Sequence, residues 1–257
     1  MLGFGLAIEP QLWALIFVMI RVGAAFVAAP VFGNVSVPLP VRVALSGGIG
    51  VLVLGTHDIQ PPVQVFALAT FLAIAAEALV GLALGFVIQI AFAAPLVAGE
   101  IIGGSMGLGF ANMIDPNNGR SSPAVGQFLS ILLTLLFLSL NGHLVLVDMI
   151  VRSYTALPVG RSWLAPEQLR DIALFGGYAF LAGLLLALPV GFLLLCLNLV
   201  MGMLSRSAPA LNLFALGLPV SLAVGVIAMA AAFPAMGDYM QVIVKEGLAA
   251  TDSLVLG

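Results

Sequence analysis

Residues 63–98 read VQVFALATFLAIAAEALVGLALGFVIQIAFAAPLVA, and Glu77 is the one charged residue among them. About 20 apolar residues are enough for a helix to cross the roughly 30 Å hydrocarbon core of a bilayer. The run lacks the alternation of polar and apolar residues that a membrane β-strand would show. It therefore predicts a membrane helix that is longer than one crossing requires, and that tilts, breaks or extends beyond the bilayer.

Apolar runs of this kind occupy most of the chain. The sequence is 62% hydrophobic and 7% charged, whereas a soluble domain carries about 25% charged residues. The other runs cover residues 12–31, 39–56, 124–147, 172–204 and 208–236. We expect an all-α integral membrane protein of about six hydrophobic helices, which form a single membrane domain over residues 1–257.

Prolines and short polar segments predict how these helices are connected. Pro95, Pro189, Pro219 and Pro234 lie within or near the apolar runs, where proline kinks a helix. Residues 205–207 form a short link between the last two runs, which predicts an antiparallel helical hairpin followed by a mixed polar and apolar tail.

Four charged residues fall inside the apolar runs or at their edges, namely Arg21, Arg42, Glu77 and Glu100. A charge at the centre of a lone membrane helix costs about 2.5–3.5 kcal/mol on insertion scales. Such residues either line a water-filled pathway or form ion pairs and reach toward the interface. For Arg42, close after a proline, reaching toward the interface is favoured. We expect Arg21 to pair with a carboxylate or with helix-end carbonyl groups, on this chain or on another.

Glycines recur every fourth residue at Gly99, Gly103 and Gly107, and again at Gly81 and Gly85. This spacing lets membrane helices approach closely. The alternative for the first set is a flexible, glycine-rich break.

A polar stretch, GLGFANMIDPNNG at residues 107–119, interrupts the apolar sequence. It has two glycines of a dinucleotide fingerprint but no strand–helix context. Asp115, Asn117 and Gly119 suggest a calcium loop, but no acidic residue closes it. The Asp-Pro and Asn-Asn-Gly sequences favour a turn. We therefore predict no cofactor and no metal site.

Other residues give weak signals for chemistry. His143 is expected at the end of a helix and could form a hydrolase pair with Asp148, but a hydrogen-bonding cap is favoured. The single Cys196 lies in an apolar run and is predicted to be a small buried residue. The net charge of −3 provides no basic surface for nucleic acid. We predict no catalytic residues.

Short motifs occur in a fixed order along nearly the whole chain. They are Arg21, APVFG at 29–33, VP at 37–38, VR at 41–42, MGLGFANMIDP at 106–116, FLSLNGHL at 137–144, ALP at 187–189, Asn198, Arg206 and AP at 208–209. This ordered set resembles the FliR family of flagellar biosynthetic proteins, which belongs, with its SctT-like injectisome counterparts, to the type III secretion export gate.

The resemblance implies a non-enzymatic gate subunit in the bacterial inner membrane, within the flagellar basal body. One copy would join a helical ring with several copies of FliP and FliQ, with FlhB packed against the ring and FlhA nearby. Unfolded secreted flagellar proteins would be the cargo. Residues 1–171 would form a FliP-like part with a plug loop at 106–122, and residues 172–257 a FliQ-like hairpin and tail.

The resemblance also implies roles for individual residues. The pore plug loop would include Met106, Gly107, Leu108, Gly109, Phe110, Asn112, Met113, Ile114 and Asp115. Structural or assembly roles would belong to Arg21, Pro30, Gly33, Pro38, Arg42, Glu77, Glu100, Asn141, Gly142, His143, Arg206 and Pro209. In the plug, apolar side chains would fill a constriction while glycines allow movement.

Alternatives and orientation stay open at this point. The chain could be the injectisome counterpart, a small-molecule secondary transporter with a site near Arg21 and Glu77, or a membrane hydrolase that uses His143. The resemblance places Arg206 toward the cytoplasm and the termini toward the periplasm. The count of Lys and Arg weakly favours the opposite orientation.

Overall fold

The computed structural model describes residues 3–59, 67–109, 124–160, 163–207 and 213–256, and all regular secondary structure in these ranges is helical. The helices are α1 (Gly3–Ala28), α2 (Leu39–Thr56), α3 (Leu68–Ser105), α4 (Ala124–Ser139), α5 (Gly142–Ala156), α6 (Pro166–Phe175), α7 (Tyr178–Ser207) and α8 (Leu213–Leu256). Five helical stretches in this part of the chain are long and apolar enough to cross a membrane, and α4 with α5 could form a sixth. The predicted all-α membrane fold is confirmed.

The chain divides into two compact units, and the first comprises Met1–Ile90, Leu140–Gly176 and Glu246–Gly257. Helices α1 and α2 form an antiparallel hairpin in this unit. A Cβ atom at Gly50 would lie 2.9 Å from Leu15 Cδ1, and a Cβ atom at Gly23 would lie 3.7 Å from Ser46 Oγ. The core of the unit contains apolar side chains of α1 and α3, namely Phe17, Val18, Val22, Phe26, Val80, Leu84 and Ile88.

Helix α3 packs against α1 through the glycine pair that the sequence singles out. A Cβ atom at Gly81 would overlap the Arg21 carbonyl oxygen, and one at Gly85 would overlap the Ala25 carbonyl oxygen. Only glycine permits two helix backbones to approach this closely. The predicted role of Gly81 and Gly85 in close helix packing is therefore confirmed.

The second unit comprises Ala91–Ser139 and Gly177–Lys245. Helices α3 and α4 approach closely where a Cβ atom at Gly99 would overlap the Gly126 backbone. Nearby, the Phe92 and Phe137 rings meet edge to face with centroids 5.3 Å apart. The close approach expected at Gly99 is present, whereas a Cβ atom at Gly103 would have only ordinary contact.

Helices α7 and α8 of the second unit run antiparallel. Ser221 Oγ donates a hydrogen bond to Asn198 Oδ1 at 3.3 Å. A Cβ atom at Gly217 would lie 3.8 Å from the methyl carbon of Met201. These contacts confirm the predicted C-terminal hairpin, but residues 205–207, which were predicted to link its helices, form the last turn of α7. The assignment of residues 1–171 and 172–257 to FliP-like and FliQ-like parts stays a prediction.

The apolar run at residues 124–147 was expected to form one helix, and this expectation was wrong. Asn141 adopts the left-handed conformation with φ 57°, and α5 begins at the next residue. Asparagine tolerates this conformation better than most residues, so the Asn141–Gly142 pair separates α4 from α5. His143 consequently lies in the first turn of α5 rather than at the end of the helix that precedes it.

The C-terminal tail also differs from expectation, because α8 continues to Leu256 as a 44-residue helix. Its last turns are held in the first unit. Arg152 Nη2 lies 3.2 Å from Asp252 Oδ1, and Gln168 Nε2 donates to the Leu254 carbonyl at 2.9 Å. Burial of Thr251 and Leu254 adds to this attachment. The segment is therefore helical because it packs on α5 and α6.

Cys196 was predicted to be buried, and this was wrong. Its side chain is exposed on α7. In a membrane protein an apolar run does not have to face the interior of its own chain, because lipid or a partner can cover it.

We predict that Gly85→Val destabilises the protein more than Gly104→Val in the same helix. The new side chain at Gly85 meets backbone atoms of α1, with Ala29 N 2.8 Å from the Cβ position, whereas Gly104 has open space. Overpacking typically costs about 1–3 kcal/mol, and fixed backbone atoms place Gly85 at the upper end. Thermal unfolding of the purified protein in detergent measures the difference. Equal melting temperatures for the two variants would contradict the close packing.

Candidate functional site

Arg21 lies on α1 inside the first unit and is completely buried, as is Glu77 on α3. Arg21 Nε donates to Glu77 Oε2 at 2.7 Å. Nη1 donates to the Ser153 carbonyl at 3.0 Å and lies 3.1 Å from Ser153 Oγ, and Nη2 donates to the Leu157 carbonyl at 2.8 Å. The guanidinium thus joins three helices, and the predicted pairing with a carboxylate and with helix-end carbonyl groups is confirmed within this chain.

The C-terminus of α5 explains why an arginine fits this position. The last carbonyl groups of a helix have no partner within it and carry partial negative charge. Helix α5 ends at Ala156 with Leu157 as its C-cap. Arg21 supplies a donor for the Leu157 carbonyl and a second donor for the Ser153 carbonyl, which already accepts the Leu157 N–H, and it adds the complementary charge.

Tyr154 closes the remaining side of the cluster. Arg21 Cζ lies 4.2 Å from the centre of the Tyr154 ring, within the range of a cation–π interaction. The Tyr154 hydroxyl donates to the Val18 carbonyl at 2.8 Å. The tyrosine therefore connects α5 to α1 at two residues, Arg21 and Val18, and its polar end is satisfied despite burial.

The geometry makes this cluster a structural junction. A buried ion pair is tolerated only when further hydrogen bonds satisfy the donor and acceptor atoms that the two charged groups do not use on each other. Here each nitrogen of the guanidinium has an acceptor. Complete burial and satisfied hydrogen bonds favour a fixed connection between α1, α3 and α5 over a transport site for a small solute.

The turn between α1 and α2 contains three of the predicted assembly residues, and a fourth, Arg42, lies in the first turn of α2. Pro30 is buried. A Cβ atom at Gly33 would lie 2.7 Å from the Ala29 carbonyl oxygen. Pro38 occupies the N-cap of α2 in an extended conformation. Arg42 Nη2 donates to the Asn34 carbonyl, so its side chain reaches from the first turn of α2 back to the preceding turn.

The remaining assembly residues are not brought together with the Arg21 cluster. Glu100 and Arg206 are exposed, Asn141 is exposed, Gly142 is buried and His143 is half-buried. Pro209 lies outside the described residues. The roles expected for these residues in assembly stay predictions.

The hydrolase pair does not form in this structure. Asp148 is 62% exposed and pairs with Arg152, whose Nε lies 2.8 Å from Asp148 Oδ2. His143 Nδ1 is buried without a hydrogen-bond partner. Within the described ranges, His, Cys, Asp and Glu form no group of three that could hold a metal ion.

The polar loop begins with a defined turn in the second unit. Gly107 adopts φ 80°. Its N–H donates to the Gly104 carbonyl at 3.1 Å, and the Leu108 N–H donates to the Gly103 carbonyl at 2.9 Å. This pair of bonds with a left-handed glycine is the Schellman motif that ends a helix. Gly107 thus occupies a position that favours glycine, whereas Gly109 lies outside the left-handed region and has open space around it. The roles expected for both glycines in the plug stay predictions.

Two contacts hold this turn from neighbouring helices of the same unit. Met106 is 2% exposed, and it packs against Gly225 on α8. Asn198 Nδ2 on α7 donates to the Ser105 carbonyl at 3.3 Å. We call Ser105, Met106, Gly107, Asn198 and Gly225 the loop base. Phe110, Asn112, Met113, Ile114 and Asp115, which were predicted to plug the pore, lie outside the described residues.

Sequence reasoning did not find the roles of Tyr154 and Gly225. A tyrosine at an interface and a glycine in an apolar run are too common to be singled out. Asn198 gave a usable signal, because an asparagine in a long apolar run requires a partner.

Comparison with known proteins relates the chain to bacterial export. Residues 12–247 match the family described as Bacterial export proteins, family 1. The flagellar biosynthetic protein FliR of Escherichia coli strain K12 is 39% identical over 233 residues, which cover 89% of this chain and 87% of that protein. The protein of the same name from Bacillus subtilis strain 168 is 35% identical over 217 residues, covering 83% of each chain. That from Aquifex aeolicus strain VF5 is 31% identical over 230 residues, covering 88% and 87%.

We predict that Glu77→Leu destabilises the protein by about 3–5 kcal/mol, because it leaves the buried charge of Arg21 uncompensated. The double variant Arg21→Met/Glu77→Leu should recover much of this loss, since it removes both charges together. Unfolding of the detergent-solubilised protein by titration with a denaturing detergent measures these free energies.

Asp148→Asn provides the control, since Asp148 is 62% exposed and its ion pair with Arg152 is worth about 1 kcal/mol or less. If the double variant is as unstable as the sum of Glu77→Leu and Arg21→Met, each measured alone, Arg21 and Glu77 do not stabilise each other.

Proposed function

The chain belongs to family 1 of the bacterial export proteins and is a membrane component of the flagellar export apparatus, and from this premise we propose how it acts. It is a non-enzymatic subunit of the gate through which unfolded flagellar proteins leave the cytoplasm. It resides in the inner membrane, in the flagellar basal body. It contributes to the wall of the entry pore and, through the loop at residues 106–122, to its closure.

We propose that one copy assembles with several copies of FliP and FliQ, with FlhB and FlhA as neighbours. The observation that carries this proposal is the amount of apolar helix surface that the chain leaves uncovered. Only 17% of the candidate membrane-spanning segment is buried inside the chain in α2, and the same share in α8. Side chains such as Phe192 and Met203 on α7 are 64% and 73% exposed.

Helix length indicates that lipid is not the whole covering of this surface. Helix α8 has 44 residues and α3 has 38, which correspond to about 66 Å and 57 Å at 1.5 Å per residue. The hydrocarbon core of a bilayer is about 30 Å thick. Even with tilt, apolar residues would project beyond this core. Protein partners that stack around the helices would cover them there, as in a ring that rises above the membrane plane.

The plug proposal is supported by where the polar loop starts. Helix α3 is apolar almost to its end, and the Schellman turn at Gly107 then redirects the chain at a fixed point. The following residues combine apolar side chains at Phe110, Met113 and Ile114 with turn-forming residues. A segment of this composition, anchored at a rigid helix end, is suited to occlude a pore and to move aside for cargo.

We predict that Gly107→Val makes the gate leak ions or lose secretion. Valine at φ 80° is strained by about 1–2 kcal/mol or more, so the turn would change and the loop would start in another direction. Gly160→Val is the control, because Gly160 has φ 82° and open space but lies far along the chain from the loop. Both variants carry the same local strain.

Each variant is expressed together with the neighbouring export proteins. The amount of flagellar subunits secreted into the medium and the ion permeability of the membrane are then measured. Gly160→Val should secrete normally and stay tight to ions. Normal secretion and normal ion tightness in Gly107→Val as well would contradict the plug role.

A further inference from the structure

Gly225, in the first third of α8, contacts Met106, the residue that directly follows α3 in the second unit. We infer that Gly225 is a positioning residue of the export gate: it provides a recess for Met106, and so fixes the point at which the loop at residues 106–122 begins. This inference rests on the proposed plug role of that loop. It extends the role to two helices outside the loop, because Asn198 on α7 and Gly225 on α8 would determine where the loop is held.

The contact between Gly225 and Met106 is close along most of the methionine side chain. A Cβ atom at Gly225 would lie 2.6 Å from Met106 Cγ, 2.9 Å from Sδ and 2.7 Å from the methyl carbon. Real Cβ atoms do not approach other atoms this closely, so any side chain at position 225 must displace Met106. Met106 is 2% exposed, so its side chain would have to repack among buried neighbours to make room.

Gly225 is not required by its backbone. It lies inside a continuous helix, where glycine is less favourable than alanine. The same helix contains Gly237, around which a Cβ atom would find open space. A glycine in a helix interior that faces a closely packed side chain is explained by that side chain.

A second contact acts on the adjacent residue of α3. Asn198 donates to the Ser105 carbonyl, one of the helix-end carbonyl groups that lack a partner within α3. Ser221 on α8 donates in turn to Asn198 Oδ1. Two helices therefore hold consecutive residues, Ser105 and Met106, directly before the Schellman turn at Gly107. The turn is fixed in place as well as in shape.

The first test enlarges the residue at position 225 and then shortens Met106 to compensate. Gly225→Val should displace Met106 and raise the ion permeability of the closed gate roughly tenfold, the effect expected when the closed state loses as much stability as one overpacked side chain costs. Gly237→Val, in the same helix but in open space, should leave permeability unchanged. Met106→Ala combined with Gly225→Val should leak less than Gly225→Val alone, because the shortened side chain makes room.

The compensation distinguishes positioning from a general loss of structure. Each variant is first purified with its partners, and only variants that assemble in normal yield are compared. Equal permeability for Gly225→Val and Gly237→Val would overturn the inference. A leak in Gly225→Val that Met106→Ala does not reduce would also overturn it, since the effect would not pass through Met106.

The second test fixes the contact chemically. Cys196 is the single cysteine of the chain, so Cys196→Ser allows one defined pair to be introduced at Met106→Cys and Gly225→Cys. Mild oxidation of the idle assembled gate should join the two residues in high yield. Absence of the cross-link in the assembled gate would show that Met106 does not lie on Gly225 there, and would overturn the inference.

Failure of the proposed function gives a different result. Replacement of residues 111–118 by glycine and serine should open the gate if the loop is the plug. If this replacement leaves the gate tight, the plug proposal is wrong. If it opens the gate while Gly225→Val behaves as Gly237→Val does, the plug proposal stands and the positioning role of Gly225 is wrong.

Discussion

A guanidinium group inside an apolar helix bundle needs a counter-charge and an acceptor for each of its nitrogens, and the first unit is built around meeting this requirement for Arg21. Glu77 of α3 supplies the charge, and the carbonyl groups of Ser153 and Leu157 at the end of α5 supply the other acceptors. Because these groups belong to three helices, none of the three can shift without exposing a buried charge or breaking hydrogen bonds. The close approach of α3 to α1 at Gly81 and Gly85 brings the partners within reach.

In the second unit the main constraint is different: a long apolar helix has to end at a defined point, and a polar segment begins there. The Schellman turn satisfies the last carbonyl groups of α3 locally. Asn198 and Gly225 then hold that end from two other helices. A rigid helix end followed by a polar loop gives the proposed gate a fixed support from which a plug can move.

Composition and run length were sufficient to predict the membrane class and most helices, because only helices satisfy their backbone inside lipid. The pairing of Arg21 was predictable as a type of interaction, since its cost in an apolar run demands a partner. Its partners were not, because Glu77 is 56 residues and Ser153 is 132 residues away in sequence. The spacing of Gly81 and Gly85 predicted a helix contact, because the absence of side chains at these two positions is what lets α3 approach α1 closely.

Errors arose where apolar composition hides a change of direction or of surroundings. The run at residues 124–147 contains the Asn141–Gly142 turn, but the apolar residues on both sides continue the pattern. The end of α8 looked like a mixed tail because its helix is stabilised by Arg152 and Gln168 of distant segments. Cys196 was misplaced because membrane helices also expose apolar faces. The described ranges include four of the nine predicted plug residues. The plug proposal is therefore supported by the geometry of the loop base and by the sequence of the loop.

The central claim is that the uncovered apolar surface of this chain is an assembly surface within a hetero-oligomeric export gate. Native mass spectrometry tests it most directly, on the tagged chain purified in mild detergent from cells that also express the neighbouring export genes. The account predicts one copy of this chain bound to several copies of two smaller hydrophobic proteins. A monomer or a homo-oligomer, purified while those proteins are expressed but unbound, would contradict it.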